Sequence, residues 1–453
     1  MKELLLNPIS IIMILSVFVV YFLIFLHLLN KKNLLILEKI SIVLFIFLLS
    51  GAYVLYLRYL NPANFSYLYL GVPLTNTQQL FKIAQVFIYT VWIFILRATF
   101  RGIFPHTFFL FKDPFVGSLL FLTLLSAAWS DTPIVTLIGS LTLLGIGAFA
   151  AHIANKYDWS ELSSLLRWAI ACVGLLSIPV ALFVPSQGRV LGSWNGIFVH
   201  KNPFGALMGL GAILWYLSAQ NKTQNQKLKI TLSLVLVMET FLSTSGGAIS
   251  ILLILFSIVS AYKLLIKLNN RSKYLFILFL IITIVPTAYL APEIADSGLA
   301  ILGKDPNLTG RGDFWPQVIE VINKRPLLGY GYMGFWQPWR GNGSPSNIIR
   351  LPGGDFIPEQ PHNGFLDMGT SLGYVGVTIL LLSVLKNFIF AIIALINRKY
   401  AESLIPLLIL LYLLLRNFSE TGLWIPSLDF FLYVILTVRL NLEMKSSWRL
   451  LPN

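Results

Sequence analysis

The sequence is poor in charge and contains a single cysteine. Charged residues make up 11% of the 453 positions, whereas soluble domains have about 25%. With a mean hydropathy of +0.78, this composition excludes an ordinary soluble domain. One cysteine cannot form a disulfide framework. Because Cys172 lies within an apolar run, we predict that its thiol is buried and inert.

Patterns that bind metals are also missing from the sequence. The chain has five histidines, and it contains no His-x-x-x-His, no Asp-x-Asp and no acidic cluster at helical spacing. We therefore predict no metal site and no cofactor. Any negative charge that develops in a reaction would have to be stabilised by cationic side chains.

Long apolar runs recur along the whole chain. About 20 apolar residues suffice for one helical crossing of a bilayer. The sequence therefore predicts an all-α fold, a polytopic transmembrane bundle of about 12–13 helices, with the first run retained rather than cleaved. We place the helices near 8–29, 34–57, 80–96, 114–128, 133–155, 165–184, 203–219, 229–242, 247–262, 274–291, 364–385, 401–416 and 424–440.

The net charge of +14 is distributed as in a membrane protein. Lysine and arginine collect in short connections between apolar runs, such as 220–229 and 263–273, which contain no acid. This is the positive-inside pattern, so we expect membrane lipid rather than nucleic acid as a partner. Alternation of the helices then predicts four segments on the outer face, at 185–202, 243–246, 292–362 and 417–423.

The segment 292–362, called here the large loop, divides the chain. Residues 1–291 would form transmembrane helices 1–10, and residues 363–453 the last helices and a cytoplasmic tail. The large loop carries six basic and seven acidic residues and many aromatic ones, which predicts a folded, partly helical cap. Within it, Pro316 followed by Q-V-I-E-V-I-N-K predicts a short amphipathic helix with proline near its first turn.

Polar residues that could carry chemistry collect in the outer segments. Arginine binds diphosphate oxygens through its forked donors, and a neutral histidine can accept a proton from a hydroxyl group. Such a set suits a lipid-diphosphate donor and a hydroxyl acceptor. The candidates are His362 as the catalytic base, Arg189 and Arg311 as diphosphate ligands, and Lys201, Asn202, Asn363 and Glu420 as further substrate contacts.

Structural roles compete with these assignments. Arg189 would also suit lipid headgroups, Arg311 a salt bridge with Asp313, and His362 a helix cap. Asn202 precedes a proline and Glu420 follows an apolar run, so either could serve as a cap. At the level of the whole protein, the alternative is a flippase or transporter of lipid-linked oligosaccharides. The apolar runs contain few ionisable groups, with Glu239 as an exception, and this favours an interfacial enzyme.

At these residues the chain resembles the superfamily of O-antigen ligases and of O-antigen and exopolysaccharide polymerases. The likeness lies in Trp129-Ser130-Asp131, in G-S-W-N-G and H-K-N-P-F-G after Arg189, and in L-T-G-R-G-D-F-W at 308–315. It continues through R-P-L-L-G-Y-G-Y-M-G-F-W at 325–336 and P-H-N-G-F-L-D-M-G-T-S-L-G-Y-V-G at 361–376. It covers most of the chain from about 115 to 425.

The resemblance implies a metal-independent glycosyltransferase of the bacterial inner membrane, with its active site facing the periplasm. Its donor would be a glycan on undecaprenyl diphosphate, transferred with inversion. By position, Arg189 and Arg311 look like the diphosphate-binding arginines, and His362 looks like the histidine that activates the acceptor hydroxyl.

The resemblance leaves the acceptor open. A second glycan, lipid A–core and a protein hydroxyl each fit, and a chain-length regulator would be a partner of a polymerase. Many family members carry a basic residue near 243–248, where this chain has S-T-S-G-G-A. Either Lys201 supplies that charge or the donor is held differently. The sequence does not specify the sugar, the linkage or the oligomeric state.

Overall fold

A computed structural model of the protein describes residues 31–51, 110–220, 225–265, 272, 275, 311–349, 358–397 and 401–448. The helices predicted near 8–29, 80–96 and 274–291 lie outside these ranges, apart from residue 275.

The described residues are almost entirely helical. The helices are α1 (Lys31–Leu49), α2 (Pro114–Leu125), α3 (Pro133–Lys156), α4 (Trp159–Phe183), α5 (Pro185–Gly188), α6 (Lys201–Gln220), α7 (Gln226–Leu242), α8 (Gly246–Leu265), α9 (Arg311–Lys324), α10 (Gly364–Asn397), α11 (Ile405–Ser419) and α12 (Leu428–Trp448). Short 3₁₀ segments follow α2, precede α11 and occupy 338–348. Two two-residue strands, β1 (Arg189–Val190) and β2 (Ser193–Trp194), form an antiparallel hairpin.

The helices form where the chain is apolar, and capping residues mark where two of them begin. Asp113 and Asp158 accept backbone N–H groups at the starts of α2 and α4, which satisfies donors that the helix leaves unpaired. Helices α3 and α4 and the segment 364–396 of α10 are long and apolar enough to cross a membrane, and α2, α8 and α11 are shorter apolar helices. The predicted all-α polytopic architecture is confirmed.

Several predicted boundaries differ from the structure. Helix α4 begins at Trp159 rather than 165, because Asp158 caps it. Helix α9 begins at Arg311, so Pro316 lies inside the helix and not near its first turn. The prediction that Cys172 is buried is wrong. Its thiol lies on the exposed side of α4, because an apolar run that faces lipid does not reveal which of its residues point inward.

Helix α10 is broken at Gly373, whose φ of 64° is outside the helical region. Residues of the large loop repair the break. The N–H groups of Tyr330 and Gly331 donate to the carbonyls of Thr370 and Ser371 at 2.9 Å. In return, Tyr374 N–H donates to the carbonyl of Pro326 at 2.7 Å. Backbone groups that an interrupted membrane helix leaves unpaired are therefore satisfied by the loop, as a bilayer environment requires.

Residues 311–349 form a cap with a small core of its own. Apolar side chains of α9 pack with Tyr330, Phe335 and Ile349, and Leu366 of α10 packs against this cluster. Burial raises the pKa of the Tyr330 phenol above its ordinary value, so this side chain stays neutral. The cap is also tied to the bundle next to α3, where Tyr332 N–H donates to Ser126 Oγ at 2.9 Å and Thr136 Oγ1 donates to the Tyr332 carbonyl at 2.8 Å.

Candidate functional site

His362 occupies a turn between the cap and the start of α10. Its φ of +50° is left-handed, a conformation that costs a residue other than glycine free energy and needs support from its surroundings. Support comes from both sides. The indole N–H of Trp315 donates to the carbonyl of Pro361 at 3.0 Å. Asn363 Oδ1 accepts the N–H groups of Phe365 at 3.0 Å and Leu366 at 3.2 Å, which caps α10.

The imidazole of His362 pairs with a carboxylate from another helix. Its Nδ1 lies 3.0 Å from Oε2 of Glu420, the residue that follows α11. The other carboxylate oxygen, Oε1, accepts a hydrogen bond from the Asn202 side chain on α6 at 3.0 Å. Glu420 thus joins three elements that are distant in sequence. The His362 side chain is 44% exposed whereas that of Glu420 is 14% exposed, so the histidine is accessible and its partner is largely covered.

The pair forms because α10 and α11 touch at a glycine. A Cβ atom on Gly364 would overlap the side-chain amide of Asn417, so these helices can approach this closely only without a side chain there. Asn417 Oδ1 in turn accepts the N–H of Leu423 at 3.2 Å. Gly364 therefore serves close packing, and the turn itself falls at His362.

Lys201 is the first residue of α6 and reaches two hydroxyl groups. Its Nζ lies 3.3 Å from Ser193 Oγ and 3.4 Å from Thr244 Oγ1, and these oxygens are 2.5 Å apart. Thr244 belongs to the turn between α7 and α8, the S-T-S-G-G stretch that contains no basic residue of its own. Lys201 thus brings a positive charge to this turn. Its neighbour Asn202 contacts Glu420, so the lysine and the histidine pair belong to one region.

Arg189 begins the hairpin and faces Trp194 across it. The two residues are partners in the strand register, and the guanidinium carbon lies 5.7 Å from the Trp194 ring centroid, within the range of a cation–π contact. Its Nε donates to the Ala181 carbonyl in the last turn of α4 at 2.8 Å. These contacts fix the stem of the arginine. Among the described residues, its remaining guanidinium N–H groups have no partner.

Arg311 is the first residue of α9, and the structure describes its backbone but not its side chain. Trp315 follows it by one helical turn and contacts the turn that carries His362. Both roles that the sequence predicts for Arg311, diphosphate binding and a salt bridge with Asp313, therefore stay predictions.

An ion pair lies one helical turn before Glu420. Arg416 of α11, whose side chain is 17% exposed, binds Oδ1 of Asp429 through its Nη1 at 2.5 Å. The backbone N–H of Glu420 donates to the carbonyl of Arg416 at 2.8 Å. The backbone at Glu420 is therefore hydrogen-bonded to a residue whose own side chain is fixed by an ion pair.

The structure groups most of the residues predicted from the sequence. His362, Glu420, Asn202 and Lys201 share direct or neighbouring contacts, and Arg189 lies on the hairpin that also carries Ser193. Asn363 caps α10, which gives it a structural role in addition to any contact with substrate. Sequence reasoning missed Trp315, Asn417, Ser193 and Thr244. Trp315 had a signal, namely its helical spacing from Arg311, but the others are recognisable only from their tertiary contacts.

Comparison with known proteins gives two matches. Residues 230–381 match the family model described as O-Antigen ligase, a segment that contains Arg311 and His362 but not Arg189 or Glu420. The exopolysaccharide production protein ExoQ of Rhizobium meliloti (strain 1021) is 28% identical over 133 residues, which is 28% of this chain and 29% of that protein. The match thus spans less than a third of that relative's length. Both findings support the O-antigen ligase and polymerase superfamily, the resemblance that the sequence motifs predicted.

Proposed function

We propose that this protein is a membrane glycosyltransferase of surface polysaccharide synthesis. It transfers a glycan from undecaprenyl diphosphate to a hydroxyl acceptor at the periplasmic face of the bacterial inner membrane, without a metal ion. In this proposal the chain divides into transmembrane helices in 1–291, the large loop at 292–362, to which the cap at 311–349 belongs, and the C-terminal helices in 363–453. The name of the similar exopolysaccharide production protein ExoQ favours a role in exopolysaccharide synthesis.

The observation that carries the proposal is the geometry of His362. Its Nδ1 faces the Glu420 carboxylate at 3.0 Å, and its Nε2 has no partner among the described residues. When the Nδ1–H group of a neutral imidazole donates a hydrogen bond to a carboxylate, the lone pair that can accept a proton is on Nε2. The carboxylate also stabilises the imidazolium that forms when Nε2 takes a proton. This is the arrangement of a general base with an orienting partner.

The reaction follows from that base. The proton of the acceptor hydroxyl moves to Nε2 of His362 while the acceptor oxygen attacks the anomeric carbon of the donor glycan. The bond between that carbon and the phosphate oxygen breaks, and undecaprenyl diphosphate leaves with the electron pair. Attack opposite to the leaving group inverts the anomeric configuration.

The leaving diphosphate needs positive charge, and three cationic residues are candidates to supply it. Arg189 is held at its Nε and has guanidinium N–H groups available, and Arg311 begins the helix that contacts the histidine turn. Lys201 brings an ammonium group to the Ser193 and Thr244 hydroxyls. Asn202 then orients Glu420 rather than the substrate. Preorganised cations at a developing negative charge are a large source of catalysis.

Reconstitution of the purified protein with an undecaprenyl-diphosphate glycan tests the proposal. We expect new glycosidic bonds with the wild type and a loss of at least about 1,000-fold in His362→Ala, since general bases contribute about 10²–10⁴-fold and a proton acceptor here has no substitute. His200→Ala is the matched control, because this histidine is exposed and lies outside the pair. It should retain full activity.

The same assay separates the alternatives. Chain growth on the donor alone identifies a polymerase, in which case a chain-length regulator becomes the partner to look for. Product that forms only after addition of lipid A–core, or of an acceptor protein, identifies a ligase or a protein glycosyltransferase. Full transfer by His362→Ala would contradict the proposed base, and movement of the donor across the membrane without any new bond would identify a flippase.

A further inference from the structure

We propose that Trp315 is a positioning residue that holds His362 in its pairing geometry with Glu420. This inference rests on the proposed function, because it assigns to the tryptophan a role in the work of the catalytic histidine. Trp315 does not touch the reacting atoms in this view. It acts through the Pro361 carbonyl, one residue before the histidine.

The first step of the argument is the backbone of the turn. His362 has a left-handed φ of +50°, and the preceding Pro361 is buried. A buried carbonyl without a donor is costly, and the Trp315 indole N–H is the donor that the structure supplies, at 3.0 Å. Without this hydrogen bond, the Pro361 carbonyl loses the donor that helps to keep His362 in its left-handed conformation.

The second step is what the turn controls. Asn363 is fixed as the cap of α10. A rotation of the Pro361–His362 peptide group therefore changes the direction in which the His362 side chain leaves the backbone. The pair with Glu420 is a contact of 3.0 Å, and small rotations separate such atoms. A hydrogen bond loses most of its strength when distance and angle depart from these values.

The third step is the place of Trp315 in the cap. It lies on α9 one turn after Arg311, the proposed diphosphate ligand, and packs against the small core of the cap. The same rigid helix thus begins at a residue proposed to bind the donor and contacts the turn of the proposed base. The hydrogen bond from Trp315 to the Pro361 carbonyl thus couples the position of His362 to the position of the cap.

The cap contains a matched control for this role. Trp336 packs against the same small core, and its indole N–H donates to Thr370 Oγ1 of α10 at 3.2 Å. It therefore has the same ring chemistry and the same surroundings as Trp315. The difference is that its hydrogen bonds go to Thr370 and to the Asp367 side chain, which lie within α10 and not in the turn that carries His362.

The test replaces each tryptophan by 3-benzothienylalanine, which keeps the shape of the ring and replaces the N–H group by sulfur. Two quantities are measured on the full-length protein in lipid. One is the rate at which diethylpyrocarbonate modifies His362, followed by peptide mass spectrometry. The other is kcat and donor KM for glycan transfer.

In the Trp315 variant we expect kcat to fall about fivefold, the size of one net hydrogen bond, with donor KM within about twofold of wild type. We expect modification of His362 to become about fivefold slower, because the imidazole spends less time paired with the Glu420 carboxylate, which makes the open Nε2 more nucleophilic. Both quantities should stay within about twofold of wild type in the Trp336 variant.

Equal changes in the two variants would show that cap packing alone matters and would overturn the inference. Unchanged modification of His362 in the Trp315 variant would overturn it as well. The modification assay needs no turnover. If the wild type forms no glycosidic bond, the proposed function fails while the positioning role is still decided.

Discussion

Two carboxylates in this protein each pair with a basic side chain, but the two pairs differ in how exposed the basic partner is. Asp113 receives Lys386 and Asn441 on Oδ2 while its Oδ1 caps α2 through the N–H groups of Phe115 and Val116. The side chains of Asp113 and Lys386 are 1% and 15% exposed. Glu420 is also largely covered, but its partner His362 is 44% exposed, and its Nε2 has no partner among the described residues.

The difference teaches how a structural pair is distinguished from a pair that we propose to perform chemistry. The groups around Asp113 connect α2, α10 and α12, and the acid itself is almost fully buried. Such enclosed pairs mainly constrain the fold, and breaking one leaves a buried charge without a partner. At His362 the carboxylate occupies one side of the imidazole and leaves the other side available. An orienting partner combined with an open nitrogen is what a general base requires.

The enclosed pair gives the largest expected effect. Asp113→Ala removes the partner of Lys386 and the cap of α2, so we expect a loss of about 3–5 kcal/mol in the free energy of unfolding. Equilibrium unfolding of the purified protein in mixed micelles measures it. Glu161→Ala is the control, because it breaks an exposed pair with Lys39 whose side chains are 40% and 44% exposed. That change should cost less than about 1 kcal/mol, and equal losses would contradict the distinction.

The open pair should respond in activity instead of stability. Glu420→Gln keeps the size of the side chain and removes the charge that orients the imidazole and stabilises its protonated form. We expect kcat to fall about 100-fold, at the lower end of what general bases contribute. The free energy of unfolding should change by less than about 1 kcal/mol. A variant with normal kcat and reduced stability would place Glu420 in the structural class with Asp113.

The smallest of these effects concerns the contact that brings the open pair together. Gly364→Ala forces a methyl group onto Asn417, and overpacking of this kind costs about 1–3 kcal/mol. Since the displaced helices carry His362 and Glu420, kcat should fall together with stability. Gly145→Ala in α3 is the control, because nothing lies within 4 Å of the added methyl group.

Relief of the contact should restore the variant. Asn417→Ser shortens the side chain that the new methyl group meets, so Gly364→Ala in that background should cost less than it does alone. Independent, additive effects of the two substitutions would mean that the glycine matters for another reason.

The sequence predicts a helix start well where a proline opens the apolar run. Helices α2 and α3 begin at the expected positions because Pro114 and Pro133 are their first residues, whereas α4 begins at Trp159 and not at the predicted 165. Prediction failed for features that depend on neighbours. The apolar pattern of α10 is continuous, yet the helix breaks at Gly373. The loop residues that satisfy the backbone groups at this break lie 40 to 50 residues earlier in the chain, so no local pattern reveals it. The exposure of Cys172 was mispredicted for a related reason, since apolar runs look alike on the lipid-facing and protein-facing sides.

The candidate site divides in the same way. His362 was identifiable because histidine is scarce and this one stands at a helix start after a long polar segment. Glu420 was ambiguous, because a carboxylate after an apolar run suits a cap as well as a site. In the structure the two oxygens of its side chain contact His362 and Asn202. Asn417 contacts the site in a way that no local pattern encodes, whereas Trp315 had one signal, its helical spacing from Arg311.

The sequence by itself determined the class of protein, the approximate position of most of the described helices and the residue types available for chemistry. These follow from local properties, namely apolar run length, charge in short connections, and proline and capping residues at helix starts. The tertiary structure alone decided which polar groups meet. The contact of Gly364 with Asn417 brings His362 and Glu420, 58 positions apart, to 3.0 Å, and the indole of Trp315 donates to the turn that carries His362. Such pairings depend on helix packing, where the absence of one side chain sets the distance between two others.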